Sequence, residues 1–370
     1  YKQCRIGDIY AERSQRGASD MELLSVTMND GVKPRSEIEG KDNSSEDKSN
    51  YKIVRKGDMV YNSMRMWQGA NGISPCDGIV SPAYTVLMPK QEINNGYFAA
   101  LFKSANLINE FRKNSQGMTS DTWNLKYPQI ETIKVQVPSV SEQDKVSELF
   151  GVLDARIVAQ AQLIEALKKY KRGVNNQILS QIDNSYNCRL GSVCEIVGGG
   201  TPDTLHTEYW GNTVEWFTPS EIGKTKYVNN SVRKLSDIGL DNSSAKLLPI
   251  GTVLLTTRAT LGEMSIAKRE CSTNQGFQSL IPHTDRVSSE YLYYMQIIIK
   301  PWCEKYASGN TFREISKSAL SDCIIPIPDR ARQEQIVKLL SSIDMLIGAA
   351  ESISMSLSKI RHGLMQQLFI

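Results

Sequence analysis

Residues that could catalyse a reaction do not form a recognisable set in this sequence. Gly223-Lys224-Thr225 ends like a phosphate-binding loop, but that motif needs a Gly where Thr218 stands, and Pro219 follows it. Residues 80–84 (VSPAY) lack the leading amide or acid and the second Pro of the amino-methyltransferase signature. No carboxylate pair, Ser-His-Asp set or Cys-His set stands out. We therefore predict that the protein is not an enzyme and needs no cofactor.

The cysteines and histidines are not spaced as metal ligands. The 7 cysteines are scattered without a C-x-x-C pair, and none of the 3 histidines stands beside a cysteine. An odd number of scattered cysteines is typical of a reducing compartment and argues against a disulfide framework or a zinc site. We predict no metal.

The composition permits a nucleic-acid partner without requiring one. The chain has 370 residues, of which 40% are hydrophobic and 22% charged, and a net charge of +3. These values are ordinary for a globular protein of two or three domains. No leader opens the sequence and no run approaches the roughly 20 apolar residues of a membrane span, so we expect a cytoplasmic protein. Tyr1 in place of an initial Met indicates a fragment.

Two long amphipathic segments must position whatever the chain binds. Between residues 141 and 181 apolar residues recur at alternating intervals of three and four, and no Pro interrupts them. A helix of that length would measure about 60 Å, too long to be buried against one small domain. Residues 336–368 repeat the stripe. We therefore predict that the two helices pair with each other.

The chain contains one unit twice. Placing Pro138 on Pro328 aligns Gln143 with Gln333 and continues through both helices. The globular segments before the helices also correspond, including a helix predicted over 97–113 and again over 291–306. A repeat of roughly 185 residues is far longer than the period of a solenoid, so a whole domain and its helix have been duplicated.

The duplication predicts the domain order and the fold class. The expected order is a globule over 1–140, a helix over 141–182 with Ser141 as its N-cap, a globule over 183–328 and a helix over 329–370. We predict an α+β fold in which two similar mixed α/β globules are joined by two long antiparallel coiled-coil helices, with an internal pseudo-two-fold axis. Two globules at a fixed separation suit an elongated ligand with local two-fold symmetry, and duplex DNA is the common one.

Polar loop residues in the two globules are candidates for contact with DNA. Positions that both halves share, such as Gly57 and Gly251, cannot make the halves read different sequences, so they belong to the scaffold, contact phosphates or form docking surfaces. Arg65 and Arg258 are shared as well, and a shared Gly near each would let backbone approach a phosphate. Asn and Gln pair bidentately with adenine, and Arg with guanine. The predicted DNA-binding residues are Arg65, Trp67, Gln68, Asn71, Thr218, Ser220, Lys224, Lys226, Arg258, Asn274, Gln275, Asn310 and Arg313.

The segments that lead into the two helices resemble a known family. Pro-x-x-x-x-Gln precedes both helices, at residues 138–143 and 328–333. The supporting segments, in chain order, are residues 78–84 (GIVSPAY), Val137-Pro138 with residues 141–143 (SEQ), Gly200-Thr201-Pro202, Trp216, Thr273-Asn274-Gln275, and Ile327-Pro328 with residues 332–336 (RQEQI). In this order, and duplicated, they resemble the specificity subunit of type I restriction-modification systems over essentially the whole chain. Arg332 departs from the Glu that the family commonly shows, which concerns helix capping.

The resemblance implies a non-catalytic subunit with two target-recognition domains, each of which reads one half of a split, asymmetric DNA sequence. It implies that the helices set the unread gap and dock two copies of a modification subunit that methylates adenine, with Gln143, Gln333 and Gln335 as docking residues. A restriction subunit, an ATP-driven translocase and nuclease, would join the same assembly.

Two other functions remain open at this point. A scaffold could tether proteins through its paired helices and have no DNA role. A fused DNA methyltransferase would need an S-adenosylmethionine site, and the sequence shows no motif for one.

Overall fold

The chain divides into two compact units, each with a mixed α/β globule and a segment of both long helices. The computed structural model describes residues 1–17, 20–28, 31–40, 42, 44–183, 186–258, 260–309 and 313–369. Tyr1–Leu163 with Ala350–Ile370 form the first unit, and Ile164–Ala349 form the second. The predicted α+β fold is confirmed.

The first unit is built on a four-stranded antiparallel sheet in the order β2-β9-β6-β7. Its strands are β1 (Lys2–Arg5), β2 (Tyr10–Glu12), β3 (Leu24–Thr27), β4 (Gly31–Pro34), β5 (Lys52–Val54), β6 (Met59–Asn62), β7 (Asn71–Ile73), β8 (Gly78–Val80), β9 (Tyr84–Pro89) and β10 (Lys134–Val137). Its helices are α1 (Ile6–Ile9), α2 (Asn95–Leu101), α3 (Ala105–Asn114) and α4 (Tyr127–Ile130), and α5 (Val140–Ser180) follows. The pairs β1-β10, β3-β4 and β5-β8 complete the globule.

The second unit is built on a five-stranded sheet in the order β12-β20-β17-β18-β15. Its strands are β11 (Asn187–Arg189), β12 (Cys194–Gly198), β13 (Trp210–Gly211), β14 (Val214–Phe217), β15 (Tyr227–Val228), β16 (Arg233–Leu235), β17 (Val253–Leu255), β18 (Met264–Ala267), β19 (Cys271–Thr273), β20 (Gln278–Pro282) and β21 (Ile324–Pro326). Its helices are α6 (Asp237–Asp241), α7 (Ser289–Tyr294), α8 (Gln296–Tyr306) and α9 (Lys317–Ser321), and α10 (Arg330–Leu368) follows. A second sheet runs β13-β16-β14-β19, and β11 pairs with β21.

The sheet orders confirm the duplication. The sequence β2-β9-β6-β7 corresponds to β12-β20-β17-β18 strand by strand, and β1-β10 corresponds to β11-β21. Gly57 and Gly251 both adopt left-handed backbone (φ 91° and 87°) at the turn before the equivalent strands β6 and β17. The sheet β13-β16-β14-β19 has a smaller counterpart in the first unit, where the hairpin β3-β4 meets β8 through a parallel bridge between Leu23 and Ile79, and β13 has no equivalent among the described strands of that unit.

The first long helix begins two residues earlier than its predicted N-cap implies. Ser139 is the capping residue, because its hydroxyl accepts from the Glu142 backbone N–H at 3.4 Å and the Glu142 carboxylate accepts from the Ser139 backbone N–H at 3.2 Å. Ser141 lies inside the helix. α5 and α10 have 41 and 39 residues. Among the described residues, no helix combines the length and the hydrophobicity of a membrane span.

The helix predicted over 97–113 is two helices. α2 ends at Leu101, and Ser104 starts α3 by accepting from the Leu107 backbone N–H at 3.4 Å. The break lets Phe98, Phe102 and Phe111 all be fully buried in one core. The helix predicted over 291–306 is divided in the same way into α7 and α8 at Met295.

Within each unit the segments of α5 and α10 are antiparallel. In the first unit the Phe150 ring stacks on Phe369 at 5.7 Å, and an Arg361 nitrogen lies 2.5 Å from an Asp154 carboxylate oxygen. In the second unit the Lys171 ammonium lies 2.6 Å from Asp344. The two residue numbers add up to 515 in both ion pairs, as expected of one antiparallel register related by the duplication.

Candidate nucleic-acid interface

Three of the predicted residues of the first unit lie on one surface turn. Met66–Gln68 form a single 3-10 turn after Arg65, and Gly69 ends it in the left-handed region (φ 85°). Arg65 and Gln68 are exposed, and Trp67 is half-buried with its indole N–H donating to the Met64 carbonyl at 3.1 Å. The turn therefore presents a guanidinium and a carboxamide to solvent beside an anchored indole.

A neighbouring loop, residues 116–124, belongs to the same surface, although the sequence interpretation did not include it. Gln116 and Asn124 close the loop through backbone hydrogen bonds of 3.0 and 2.8 Å, which leave Met118 fully exposed between them. The Trp123 ring meets Trp67 edge to face at 5.1 Å, and the Arg112 guanidinium lies 5.3 Å from the Trp123 ring. Aromatic rings interleaved with exposed basic groups are typical of nucleic-acid surfaces.

Asn71 does not belong to this surface. Its side chain is completely buried at the start of β7, and its amide donates to the Gly69 carbonyl at 3.1 Å. Because a buried side chain cannot reach a base edge, the structure corrects the prediction, and Asn71 is part of the scaffold.

Thr218 and Ser220 lie at the turn after β14, where Thr218 has a local role. The Thr218 hydroxyl and backbone N–H both donate to the Glu221 carboxylate, at 2.7 and 2.8 Å, which forms a capping box. Ser220 is exposed, with its hydroxyl oxygen 3.1 Å from that of Thr218. Ser220 is thus accessible, and Thr218 stabilises the turn that holds it.

Lys224 and Lys226 point to different environments. Lys224 is exposed. The Lys226 ammonium donates to the Tyr294 hydroxyl at 3.2 Å and the Ser341 hydroxyl at 3.1 Å, and it lies 4.5 Å from the Tyr294 ring. Burial lowers the pKa of Lys226 below its usual value. Lys226 is therefore an internal contact to α10 rather than a DNA contact, which corrects the prediction.

The remaining predicted basic groups of the second unit have partners within the chain. Arg258 forms a salt bridge with Glu314 at 2.8 Å, and the Arg313 guanidinium donates to the Glu304 carbonyl. Backbone hydrogen bonds between Ser308 and Glu314 close the loop that contains Arg313, as equivalent bonds between Gln116 and Asn124 close residues 116–124. Both guanidinium groups are therefore held by partners within the chain and are not free to contact bases. Asn310 lies outside the described residues.

Asn274 and Gln275 follow β19, next to the glycine-rich segment that ends β12. The Asn274 side-chain oxygen accepts from the Gly276 backbone N–H at 2.9 Å, so it shapes the turn. Gln275 is exposed and accepts a hydrogen bond from the Thr201 hydroxyl. A side chain at Gly199 would lie 1.9 Å from the Asn274 carbonyl oxygen, which explains the glycine.

The second unit also carries an aromatic and basic cluster, of which the sequence interpretation singled out only Trp216. The Arg233 guanidinium carbon lies 3.4 Å from the centre of the Trp210 ring, and Trp210 meets Trp216 edge to face at 5.1 Å. The three residues lie on neighbouring strands of one sheet, Trp210 on β13, Arg233 on β16 and Trp216 on β14, and β13 has no equivalent among the described strands of the first unit. The only sequence signal was two tryptophans six residues apart, without a counterpart in the first half.

Gln143 and Gln333 attach the start of each long helix to its globule. Gln143 donates to the Pro138 carbonyl at 3.0 Å and accepts from the Asn94 backbone N–H at 2.9 Å. Gln333 donates to the Pro328 carbonyl at 2.9 Å and accepts from the Ser288 backbone N–H at 3.1 Å. Both side chains are buried, so they are internal connections rather than docking residues, which corrects the prediction.

Other side chains of the long helices are exposed, unlike Gln143 and Gln333. Gln335 is exposed and accepts from the Arg332 guanidinium at 3.2 Å. Large apolar side chains of both helices are at least 40% exposed: Leu149, Val152, Val158, Leu163 and Tyr170 on α5, and Leu339, Met345, Leu346, Ile353, Met355 and Ile360 on α10. Exposed apolar side chains mark a protein-binding face where they form a contiguous patch.

No metal-binding group is assembled within the described residues, where no three His, Cys, Asp or Glu side chains are placed to share an ion. The cysteines are free thiols. Burial raises the pKa of the Cys194 and Cys323 thiols to about 12, so these two groups are protonated and unreactive at neutral pH.

Two segments of the chain match one family profile. The profile, described as the type I restriction modification DNA specificity domain, matches residues 4–169 and 183–355. One match falls in each repeat, and together they cover most of the chain.

Curated relatives are similar to parts of the chain. The type I restriction enzyme MjaIX specificity subunit of Methanocaldococcus jannaschii is 35% identical over 186 residues, which are 49% of this chain and 43% of that one. The EcoR124I/EcoR124II specificity subunit of Escherichia coli is 26% identical over 231 residues, 58% of this chain and 56% of that one. The chain thus spans about half the length of these relatives.

A solved structure shares the fold. A chain of a type I R-M system, solved for its complex assembly and conformational transition, superposes with a TM-score of 0.63. The superposition covers 100% of this chain and 97% of that chain at 19% sequence identity, which shows a common fold.

Proposed function

Since the chain belongs to the type I restriction modification DNA specificity family, we propose that it is the non-catalytic subunit that selects the DNA target of a type I restriction-modification complex. Each globule reads one half of a split, asymmetric sequence, and the two helices set the length of the gap between the halves. The observation that carries the proposal is the duplication itself. Two globules share one sheet order and differ in their exposed polar surfaces, which is what two unlike half-sites require.

The proposed DNA contacts are exposed residues of the two globules. In the first unit they are Arg65, Trp67 and Gln68, together with residues 116–124. In the second unit they are Ser220, Lys224 and Gln275, which are all accessible. The relatives' names, which are those of specificity subunits of restriction enzymes, support this assignment.

The proposed protein partners are two copies of a modification subunit and a restriction subunit. The exposed apolar side chains of α5 and α10 provide the docking face, because contact with a partner would remove them from water. The family and the relatives' type I restriction enzymes support a cytoplasmic location, where such complexes meet DNA.

Mapping methylated adenines in the DNA of cells that carry the complete complex tests the proposal. We expect a consensus of two short, unlike sequences separated by a gap of fixed length. Absence of any two-part consensus would contradict the proposal and favour a protein-tethering scaffold. Binding of S-adenosylmethionine to the purified chain alone would instead favour a fused methyltransferase.

Removal of one heptad from both helices tests the role of the helices. We expect a shorter gap and unchanged half-sequences, because the recognition surfaces lie on the globules. Loss of one half-sequence would show that the helices themselves read DNA.

A further inference from the structure

Arg233 is held by aromatic rings at the surface of the second unit. Its guanidinium carbon lies 3.4 Å from the centre of the Trp210 ring and 5.7 Å from that of Trp216. Strand pairing sets this arrangement, because Trp210 is opposite Leu235 and Trp216 is opposite Arg233. At this distance the planar guanidinium stacks on the indole, an interaction that favours arginine over lysine.

The aromatic support is itself fixed in place. Trp216 is 4% exposed, and its indole N–H donates to the Gly200 carbonyl at 3.0 Å. Trp210 meets Trp216 at 82°. Because the Trp216 ring cannot move independently of the core, the stack limits the orientations open to Arg233, which is exposed.

The neighbouring carboxylate is already satisfied. Glu215 accepts from Lys234 at 2.7 Å and from the Ser231 backbone N–H and hydroxyl at 2.6 and 2.8 Å. Burial acts to raise the pKa of Glu215, but these hydrogen bonds lower it overall, so the carboxylate is ionised and occupied. In the part of the chain that the structure describes, no carboxylate forms a salt bridge with Arg233.

We propose that Arg233 is a specificity-determining residue that donates two hydrogen bonds to the O6 and N7 atoms of a guanine in the DNA major groove. The proposal rests on the proposed function and deepens it. A stacked guanidinium presents its N–H donors in a fixed fork, which is the geometry that this pair of acceptors requires. Arg233 also packs on Trp210 of β13, a strand without an equivalent in the described residues of the first unit, and differences between the half-sites must originate in such unshared parts.

Arg233→Lys tests the proposal, because it keeps the positive charge and removes the planar fork. In the complete complex we expect one G·C position of one half-site to lose about 10- to 100-fold of its discrimination. The methylation consensus should keep its gap and its other half-site. The matched control is Arg269→Lys, at an exposed arginine of the same unit, for which we expect the original consensus.

The other outcomes overturn the proposal. An unchanged consensus with uniformly weaker binding to all DNA would mean a phosphate contact, and an unchanged consensus with unchanged affinity would mean a purely structural stack. Trp210→Leu provides a second test if Arg233→Lys does not fold, because it removes the support and should relax the same position. Failure of the proposed function is distinct, since the unsubstituted subunit would then yield no two-part consensus.

Discussion

The two units contain equivalent ion pairs between the long helices, but in different surroundings. In the second unit Asp344 pairs with Lys171 and also accepts from the Tyr294 hydroxyl at 2.7 Å. The Ser341 hydroxyl lies 3.0 Å from that of Tyr294, and Lys226 donates to both. A polar network thus connects the globule to both helices.

In the first unit the two hydroxyl groups of this network have no equivalent, and an open space lies beside the ion pair. Asp154 pairs with Arg361, and Gly151 and Ala100 stand at the positions of Ser341 and Tyr294 in the repeat. A cavity of about 220 Å³ is lined by all four of these first-unit residues. Phe150 of α5 and Phe369, directly after α10, pack in one apolar cluster with globule side chains such as Tyr97.

The difference shows which parts of the duplicated unit are interchangeable. The ion pair and the buried glutamine are present in both units, so they serve the helix pairing that both need. The side chains around the ion pair differ with the globule, because each globule contacts the helices with its own residues. Shared function and unit-specific packing can therefore be separated by matched substitutions.

The largest expected effect comes from replacing the buried glutamine that both units share. We expect Gln333→Ala to lower the free energy of unfolding by about 3 kcal/mol and Gln143→Ala by about 2 kcal/mol, because each leaves buried backbone groups without partners. The loss is larger at Gln333, which also donates to the Arg286 carbonyl at 2.8 Å. Urea denaturation followed by circular dichroism measures both values. A change below about 0.5 kcal/mol at both sites would contradict the connecting role.

The second-largest effect is a difference in the stability that the two ion pairs contribute. Asp344→Asn should cost about 2 kcal/mol, because Lys171 and the Tyr294 hydroxyl both lose a charged acceptor in a half-buried site. Asp154→Asn should cost less than about 1 kcal/mol, since the Asp154 side chain is 52% exposed. Thermal unfolding of the two variants gives the comparison. Equal losses would mean that the surrounding network adds nothing.

A third pair of substitutions should have opposite signs at one position of the repeat. Gly151→Ala should stabilise the protein by about 1 kcal/mol, because Gly151 lies within α5 and a methyl group there would contact nothing within 4 Å. Ser341→Ala should destabilise it by about 1 kcal/mol through lost hydrogen bonds to Tyr294 and Lys226. Both are measured by urea denaturation. Stabilisation by both would show that helix propensity outweighs the network.

The smallest effect concerns pH and only the second unit. The lowered pKa of Glu215 contributes stability that is present above its unfolded-state pKa and is lost as pH falls through the folded value. Glu215→Gln should therefore flatten the acid side of the stability curve, by about 1 kcal/mol or less. Urea midpoints of the two proteins from pH 7 to pH 3 test this. Parallel curves would mean that Glu215 is not linked to folding.

The long-range organisation could be predicted from the sequence, and the roles of single polar residues could not. Apolar spacing and repeated Pro-x-x-x-x-Gln segments predict the helices and the duplication, because burial imposes a period that sequence retains. The burial of Gln143 depends on Asn94, which is 49 residues away and reaches it only through the tertiary fold. Ser139 and Ser141 are both acceptable N-caps by type, and only the course of the chain selects Ser139.

The candidate DNA-binding residues were predicted least well, because their exposure also depends on residues that are distant in the sequence. Lys224 and Lys226 are two residues apart and alike in charge, yet one faces solvent and the other contacts Ser341 of α10. The support beneath Arg233 depends on the register of three strands, which no local pattern of residues specifies. A residue's type indicates the contacts it can make, whereas its availability is decided by distant neighbours.

The antiparallel register within the first unit limits how genes of this kind can change in length. An insertion between Phe150 and Asp154 would displace the stacked rings of Phe150 and Phe369 relative to the ion pair unless an equal insertion arose between Arg361 and Phe369. Insertions and deletions in the two halves of the gene are therefore expected to be tolerated in matched pairs, and an unmatched one should be selected against.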